Sequence, residues 1–296
     1  MKLSFVVILL SGFLVSTGDL FAHPGSGIAA DRQGNVYFID TGSGVWKINR
    51  EGKLTKLSAP AYHWMAIDVD GKLGTVTLPH YSRSDATVAR DPNDSRILVS
   101  SDFPITVGPD GSLYYPWLDD SEQLRIYRLA PSGTTTVAAI VPPDPDGKTR
   151  HWLNGLAATP DGSVYFAEDR AIKRVTPQGK LTTVVANIKV SDCISVPGAE
   201  PELEPYLRGL DVDLHGTVYV AAAGCGAVLK ITPDKKVTTV LRTSNPWSPT
   251  AVAVSGNDLY VLEYLHTASD NRREWLPRVR KISADGQIST VAEIHR

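Results

Sequence analysis

The feature that most constrains this chain is a sequence unit that recurs along it. In "NGLAATPDGSVYFAEDRAIKRVTPQGKLTTVVA", residues 154–186, an apolar run, an Asp-Gly turn and an alternating run precede a basic strand, a second turn and a Thr/Val strand. Similar units begin at residues 27, 105, 208 and 250, and a degenerate copy fits between 63 and 102. Each unit therefore predicts four β-strands joined by tight turns.

The spacing of the units predicts their assembly. Their turn anchors lie 37 to 54 residues apart, at Gly34, Gly71, Gly111, Gly162, Gly216 and Gly256. A four-stranded sheet cannot bury both of its faces alone, whereas six sheets packed around an axis can. We therefore predict an all-β fold, a six-bladed β-propeller of four-stranded antiparallel blades, with no strand exchanged between the chain ends.

The degenerate copy has its own predicted strand order. "HWMAIDVDGKLGTVTLPHY" supplies the first two strands of this blade, and "ATVARDPNDSRILVSS" supplies the last two. Its turns are less regular than those of the other units. We nevertheless expect the four strands to pair in chain order.

The first residues predict export. A positive Met1–Lys2 start, an apolar run over residues 3–15 and a small residue at Ala22 are typical of a cleaved signal peptide. The run is too short to span a bilayer comfortably. We expect residues 1–22 to be removed and 23–296 to form one domain. The mature protein would be a secreted or periplasmic monomer with no membrane span.

Charge and cysteine content narrow the partners. A formal net charge of -2 gives no reason to expect nucleic acid as a partner. The two cysteines, Cys193 and Cys225, could pair in an oxidising compartment. The sequence leaves the pairing open, because it does not show whether their Cβ atoms meet.

Propeller geometry selects candidate site residues. The first strand of each blade is innermost, so the residues at its start lie at one mouth of the central channel, where the second strand also ends. The candidate catalytic residues there are His151, Glu263 and His266. The candidate ligand-binding residues are His63, Trp64, Trp152, Asn154, Glu168 and Arg208.

These residue types suit two kinds of chemistry. Imidazoles and carboxylates converging on a channel could hold a divalent metal or act as an acid–base pair. Aromatic side chains suit a flat organic ligand or a sugar ring. The alternative is structural: the tryptophans pack between blades, and the histidines bond to neighbouring backbone. The sequence leaves both open.

The repeat also carries a resemblance. The pattern G-[IL]-A-x-x-x-D-G-x-V-Y followed by K-[IV]-x-x-x-G-K-[LV]-T resembles the NHL repeat. More broadly it resembles the gluconolactonase (senescence-marker) superfamily and the streptogramin lyases, which implies six blades. The resemblance does not imply one activity, because this architecture hosts lactonases, lyases, esterases and binding modules.

Compared residue by residue, the lactonase resemblance implies a dismantled metal site. Asn154 matches one metal-binding Asn, but Arg208 stands where that family has an Asp, and Ser26 where it has a Glu. Arg208 could instead bind an anionic ligand, or form an ion pair with Glu168, Asp169 or Glu263 across the channel.

The streptogramin-lyase resemblance implies analogous roles for a different set of residues. That family uses His and Glu side chains with a magnesium ion, and this chain offers His63, His151, Glu263 and His266. The two resemblances make calcium or magnesium the candidate cofactor, but the sequence does not fix one.

Two functions follow from these observations. The first is an exported propeller that binds a small molecule or a protein at its channel face. The alternative is a divalent-metal-assisted hydrolase or lyase that acts on a lactone or ester-like substrate at the same face. The sequence contains no G-x-S-x-G, H-E-x-x-H or Walker motif, so it gives no support to serine-nucleophile or nucleotide chemistry.

Overall fold

The computed structural model describes residues 24–68, 71–73, 86–90, 96–101, 103–119, 121, 123–143, 153–193, 205–265 and 274–295. Twenty-three strands account for most of them. Sheet 1 contains β1 Ile28–Ala30, β2 Val36–Asp40, β3 Gly44–Ile48 and β4 Leu54–Lys56; sheet 2 contains β5 Trp64–Asp68, β6 Ala86–Arg90 and β7 Arg96–Ser100; sheet 3 contains β8 Thr106–Val107, β9 Leu113–Leu118, β10 Leu124–Leu129 and β11 Thr135–Ile140. Sheet 4 contains β12 Leu153–Ala158, β13 Val164–Glu168, β14 Ala171–Val175 and β15 Leu181–Val185; sheet 5 contains β16 Leu207–Val212, β17 Val218–Ala222, β18 Ala227–Ile231 and β19 Val237–Arg242; sheet 6 contains β20 Trp247–Ser255, β21 Asp258–Leu265, β22 Pro277–Ile282 and β23 Ile288–Glu293.

The fold is an all-β propeller built from four-stranded antiparallel blades. In sheets 1, 3, 4, 5 and 6 each strand pairs with the next along the chain. The Asp-Gly turns of the repeat close the first hairpins, and their glycines, such as Gly162 at φ 79°, adopt the left-handed backbone that such turns require. For these five sheets the repeat therefore predicted the four strands, their order and their turns correctly.

Sheet 2 differs from the prediction. It has three strands among the described residues, in the order β5-β7-β6, so the expected chain-order pairing is wrong for this unit. Strand β7 pairs directly with the inner strand, with Trp64 opposite Ser100 and Asp68 opposite Arg96. β7 thus takes the second position and β6 the third. The apolar run "ILV" of β7 explains the exchange, because its buried side chains fit the central position of the sheet.

Adjacent sheets pack face to face around a ring. The inner strands β1, β5, β8, β12, β16 and β20 contact one another in this order, and β20 contacts β1. A buried apolar cluster fills each interface between neighbouring sheets. Alternate side chains of one strand enter the clusters on the two sides of its sheet. In β2, Phe38 faces sheet 6, while Tyr37 and Ile39 face sheet 2. This packing positions the starts of all the inner strands around one opening.

The ring closes between sheets 1 and 6. No strand is exchanged between them in the described part of the chain, as predicted. Their shared cluster includes Phe38, Leu262 and Trp275. The Tyr264 hydroxyl adds a polar contact, since it donates a hydrogen bond to the carbonyl of Ile39 at 2.6 Å. Apolar packing and a buried tyrosine therefore hold the two chain ends together.

Within the described ranges, no helix is long and apolar enough to cross a membrane. The predicted signal peptide, residues 1–22, lies outside the described residues.

Candidate functional site

The candidate site is the channel mouth at which the inner strands begin. Two glycines let neighbouring inner strands approach closely there. A Cβ atom on Gly155 would lie 2.8 Å from the carbonyl oxygen of Arg208, and one on Gly209 would lie 2.4 Å from the Cβ of Ala251. Such distances are too short for any side chain. Because these glycines flank Asn154 and Arg208, their close packing brings predicted site residues of sheets 4 and 5 together.

A short N-terminal segment completes the mouth. We name residues 24–27, which are all buried, the N-terminal arm. The Ser26 amide donates to the carbonyl of His63 at 2.7 Å, and the Thr250 hydroxyl donates to the carbonyl of Gly25 at 2.7 Å. The arm therefore lies against sheets 2 and 6 at the start of their inner strands.

Arg208 is the most unusual charge at the mouth. Its residue is only 6 % exposed, and Nη2 donates to the carbonyl of Pro24 at 2.7 Å. Its guanidinium carbon lies 5.9 Å from the centre of the Tyr206 ring. Burial lowers the pKa of the guanidinium, and the nearby Tyr206 and Tyr264 oppose this shift. No carboxylate among the described residues forms an ion pair with it.

The predicted alternative for Arg208, an ion pair across the channel, is therefore wrong for Glu168, Asp169 and Glu263. Each of the two glutamates is used within its own sheet, where Glu168 pairs with Lys173 and Glu263 pairs with Arg278. A cross-strand partner lies much closer than the far side of the channel, and a cation on the third strand satisfies that geometry in both sheets.

Tyr206 lies in a loop that is fastened to the mouth. Cys193 and Cys225 form a disulfide, which settles the pairing that the sequence left open. Cys225 belongs to a short 3-10 helix, Ala223–Cys225, whose first amide donates to the carbonyl of Tyr206 at 3.0 Å. Tyr206 has a φ of 47°, a left-handed conformation that is costly for a tyrosine. Strained residues of this kind are concentrated at functional sites.

Two buried hydroxyl groups at the mouth have no hydrogen-bond partner among the described residues. They belong to Ser26 and Ser100. Ser26 precedes β1 and Ser100 ends β7, so both lie on the mouth side of sheets 1 and 2. Buried hydroxyls normally find a partner in protein, water or ligand. Together with Arg208 they form a set of groups that can donate hydrogen bonds.

Glu263 occupies a second buried position. The residue is 0 % exposed, and its Oε2 accepts from Arg278 Nε at 2.5 Å. Arg278 in turn stacks on Trp247, with 3.9 Å from its guanidinium carbon to the ring centre. Oε1 of Glu263 has no hydrogen-bond partner among the described residues. Burial raises the pKa of Glu263, although Arg278 opposes the shift.

The other predicted site residues that the structure describes contact backbone atoms or apolar clusters, or lie within strands. His63 Nδ1 lies 2.6 Å from the carbonyl oxygen of Ser101; because that oxygen can only accept, Nδ1 carries the proton. Trp64 is half-buried and packs against the apolar cluster of sheets 2 and 3. Asn154 is half-buried in β12. Glu168 is buried at the end of β13.

Three predicted residues cannot be placed. His151, Trp152 and His266 lie outside the described residues. The structure therefore brings Arg208 and Asn154 together at the mouth and places Glu263 in the wall of sheet 6, whereas it tests neither the predicted histidine pair nor Trp152.

A metal centre finds no support in the described part of the chain. No group of three or more His, Cys, Asp or Glu side chains there could hold an ion. At the position implied by the lactonase resemblance, the Arg208 guanidinium is a cation, and Ser26 offers a single hydroxyl in place of a carboxylate. These residues do not fit a calcium site of that type.

Sequence reasoning missed Asp211 and Tyr264. Burial raises the pKa of Asp211 to about 6, although its carboxylate accepts from the amides of Val254 and Val212, both at 2.8 Å. Asp211 thereby links the inner strands of sheets 5 and 6. Thr106 makes the same kind of link between sheets 3 and 4, since its hydroxyl accepts from the amide of Ala158 at 3.2 Å. A polar residue within an inner strand is the signal that could have revealed this role.

A groove of about 610 Å³ lies on the opposite face, between sheets 3 and 4. Its lining includes Asp110, Arg128 and Asp161, which belong to exposed ion pairs near the hairpin turns. The charged side chains that line this groove already form ion pairs, and none of them is deeply buried. We therefore place the candidate site at the channel mouth.

Comparison with known proteins supports the fold and leaves the activity open. No protein-family profile matches the sequence, and no curated protein matches it. A luciferin-regenerating enzyme is similar in structure, with 14 % identity, 92 % of this chain and 93 % of that chain covered, and a TM-score of 0.54. A gluconolactonase from Xanthomonas campestris is similar at 16 % identity, with coverage of 81 % and 84 % and a TM-score of 0.52.

The predicted likeness to streptogramin lyases also appears. A streptogramin B lyase structure is similar at 13 % identity, covering 92 % of this chain and 83 % of that chain, with a TM-score of 0.50. Identities this low establish a common architecture and nothing finer. The chain thus shares the β-propeller fold of gluconolactonase-type and streptogramin-lyase structures, as its sequence repeat predicted.

Proposed function

We propose that this protein is an exported, monomeric six-bladed propeller, with sheet 2 as its sixth blade, that binds a small organic anion at the channel mouth. The observation that carries the proposal is Arg208. The Arg208 residue is 6 % exposed, so its guanidinium has lost most of its hydration. The one acceptor of its hydrogen bonds among the described residues is the neutral carbonyl of Pro24. A buried cation normally has a compensating anion. A carboxylate-bearing ligand would supply it.

The surrounding groups favour the same ligand class. The orphan groups of Ser26 and Ser100 are hydroxyls that can donate hydrogen bonds, and Arg208 can only donate. A ligand rich in acceptor oxygens, such as a carboxylate with further oxygen atoms, fits such a surrounding. Tyr206 beside Arg208 offers an aromatic face for an unsaturated or sugar-like body.

The disulfide supports export. Structural disulfides persist in secreted and periplasmic proteins and are rare in reducing compartments. The Cys193–Cys225 bond agrees with the signal peptide that residues 1–22 predict.

The test is ligand binding by the mature protein. We expect at least one of benzoate, gluconate and citrate to bind in calorimetry, with an affinity that falls as salt is added. Arg208→Gln should weaken binding roughly 10- to 100-fold, the usual range for a charge-assisted hydrogen bond. The affinity of Arg208→Lys should lie between those of the wild type and Arg208→Gln.

Arg128→Gln is the matched control, because Arg128 forms an exposed ion pair with Asp110 on the opposite face. It should bind like the wild type. Binding that survives Arg208→Gln unchanged, or a wild type that binds none of the three anions, would contradict the proposal.

The second candidate is the divalent-metal-assisted hydrolase or lyase, and Glu263 favours it. A carboxyl that is wholly buried, with a raised pKa and one oxygen without a partner among the described residues, is suited to proton transfer. The other proposed participants, His151 and His266, lie outside the described residues. The similar gluconolactonase and streptogramin B lyase suggest lactones and cyclic esters as first substrates.

Elemental analysis of the purified protein and turnover of such substrates test this candidate. It requires a stoichiometric divalent ion and an activity that Glu263→Gln removes while the protein stays folded. A metal-free protein with no hydrolysis or elimination of either substrate class would leave the binding function alone.

A further inference from the structure

The N-terminal arm is hydrogen-bonded to four of the sheets at the mouth. Its backbone is bonded to sheet 5 through Arg208, to sheet 6 through Thr250, to sheet 2 through His63 and to sheet 1 through the amide of Ile39. All four of its residues are buried. An end segment held in this way is fixed by the folded ring, although it belongs to no strand of the sheets.

The arm's contact with Arg208 has a particular electrostatic character. A carboxylate in the position of the Pro24 carbonyl would neutralise the guanidinium and occupy two of its N–H groups. The carbonyl occupies Nη2 at 2.7 Å and leaves the full positive charge in place. A neutral partner can therefore orient the side chain without removing its attraction for an anion.

The arm itself is positioned by close packing. A Cβ atom on Gly25 would lie 3.2 Å from both Ile39 Cγ2 and the Tyr264 hydroxyl oxygen, so a larger residue would push the arm away from the wall. The Thr250 hydroxyl holds the Gly25 carbonyl from the other side at 2.7 Å. The Pro24 carbonyl, one residue before Gly25, is thereby held against Arg208.

We propose that the N-terminal arm is the positioning element of the anion site: the Pro24 carbonyl orients Arg208, 184 residues away in sequence, for the ligand. This inference rests on the proposed function, since it assigns a role to the arm in that same site. It follows that the site depends on the length of the mature N-terminus, and a chain trimmed past Pro24 would retain the arginine but lose its orientation.

The test compares the chain beginning at His23 with a chain beginning at Gly25, using benzoate as the probe. We expect the shortened chain to bind benzoate at least tenfold more weakly. Thr250→Val, which releases Gly25 and leaves Arg208 in place, should weaken binding about threefold to fivefold.

Thr159→Val is the matched control, because the buried Thr159 hydroxyl donates to the Asp161 carboxylate at 2.6 Å on the opposite face. It should lose a similar amount of stability and bind benzoate like the wild type. This comparison separates an effect on the site from a general loss of stability.

A second measurement is independent of any ligand. Phenylglyoxal modifies accessible guanidinium groups, and peptide mass spectrometry reports the rate at Arg208. We expect the rate to rise at least fivefold in the shortened chain and in Thr250→Val, but not in Thr159→Val. Unchanged reactivity in both arm variants would overturn the positioning role, even where Arg208→Gln abolishes binding. Changed reactivity in a protein that binds no anion would instead overturn the proposed function.

Discussion

The two faces of the propeller use charged residues in different ways. On the face of the hairpin turns, a cation of the third strand lies over a tyrosine of the second strand in sheet after sheet, in the pairs Lys47–Tyr37, Arg174–Tyr165, Lys230–Tyr219 and Lys281–Tyr260. Two of these cations also form an ion pair with an aspartate at or beside the turn, in Arg174–Asp161 and Lys281–Asp258. Arg128, the third-strand cation of sheet 3, does the same with Asp110. These charges are partnered, and the three ion pairs are partly exposed to water.

The mouth carries buried charges, and one of them does not repeat. The position of Glu263 also holds a buried carboxylate in sheets 1 and 4, Asp40 and Glu168. Arg208, in contrast, has no arginine or lysine at the same position of the other inner strands. A contact that recurs in every blade is explained by the fold that all blades share. A buried charge that occurs once, at a cost in desolvation, calls for a function.

The largest expected effect is on a buried mouth pair. Arg278→Met should lower the free energy of unfolding by about 3–5 kcal/mol at pH 7.5, because it leaves Glu263 as an unpaired buried charge. Burial already raises the pKa of Glu263, so protonation at pH 4.5 should recover part of this loss.

Arg128→Met on the turn face is the matched comparison, since its partner Asp110 is exposed. That change should cost about 0–1 kcal/mol. Urea unfolding at both pH values measures both variants. Equal losses at pH 7.5 would remove the distinction between the two faces.

A second test concerns the loop that bears Tyr206. The double change Cys193→Ser with Cys225→Ser should lower the free energy of unfolding by about 2–4 kcal/mol, because the unfolded chain is no longer closed into a loop. Thermal unfolding with and without a reductant measures it, and the reductant should affect only the wild type. A loss below about 1 kcal/mol would show that the loop is held without the disulfide.

The smallest of the three effects is a pH dependence at the junction of sheets 5 and 6. Burial raises the pKa of Asp211 to about 6, above its ordinary value near 3.8, so the folded protein binds this proton more tightly than the unfolded chain. The contribution of Asp211 to stability should therefore be greatest below about pH 4 and should decline as the pH rises to about 6.

Asp211→Asn should remove this decline, which amounts to about 1–3 kcal/mol between pH 4 and pH 7. The difference in unfolding free energy between wild type and variant, followed across that range, measures it. Thr106→Val, at the equivalent link between sheets 3 and 4, should leave the pH dependence unchanged. A flat difference for Asp211→Asn would contradict the assignment.

The sequence allowed the fold to be predicted because the information is local and repeated. Each unit carries its own apolar alternation and its own turn glycine, so the six units independently predict the same four-stranded sheet. Sheet 2 is the exception, since nothing local distinguishes a hairpin added in chain order from one whose second strand takes the inner position. Burial of Ile97, Leu98 and Val99 decides that order, and burial depends on the neighbouring sheets.

The site was only partly predictable. Strand geometry alone placed Arg208 and Asn154 at the mouth, because it needs only the order of the strands. The partner of Arg208 is a backbone carbonyl of Pro24, and backbone atoms carry no sequence signal. Arg278 could have been predicted as the partner of Glu263, because the two residues stand directly opposite each other once the hairpin register is known. The disulfide depended on a distance that only the folded chain provides.

We propose that Arg208 is a buried cation that serves to bind an anion from solution. A crystal structure of the mature protein soaked in benzoate at low ionic strength would decide whether it does. We expect the carboxylate of benzoate within hydrogen-bond distance, about 3 Å, of the Arg208 guanidinium, with the Pro24 carbonyl still in place. A protein carboxylate paired with Arg208, and no benzoate beside it, would show that the cation serves the fold alone.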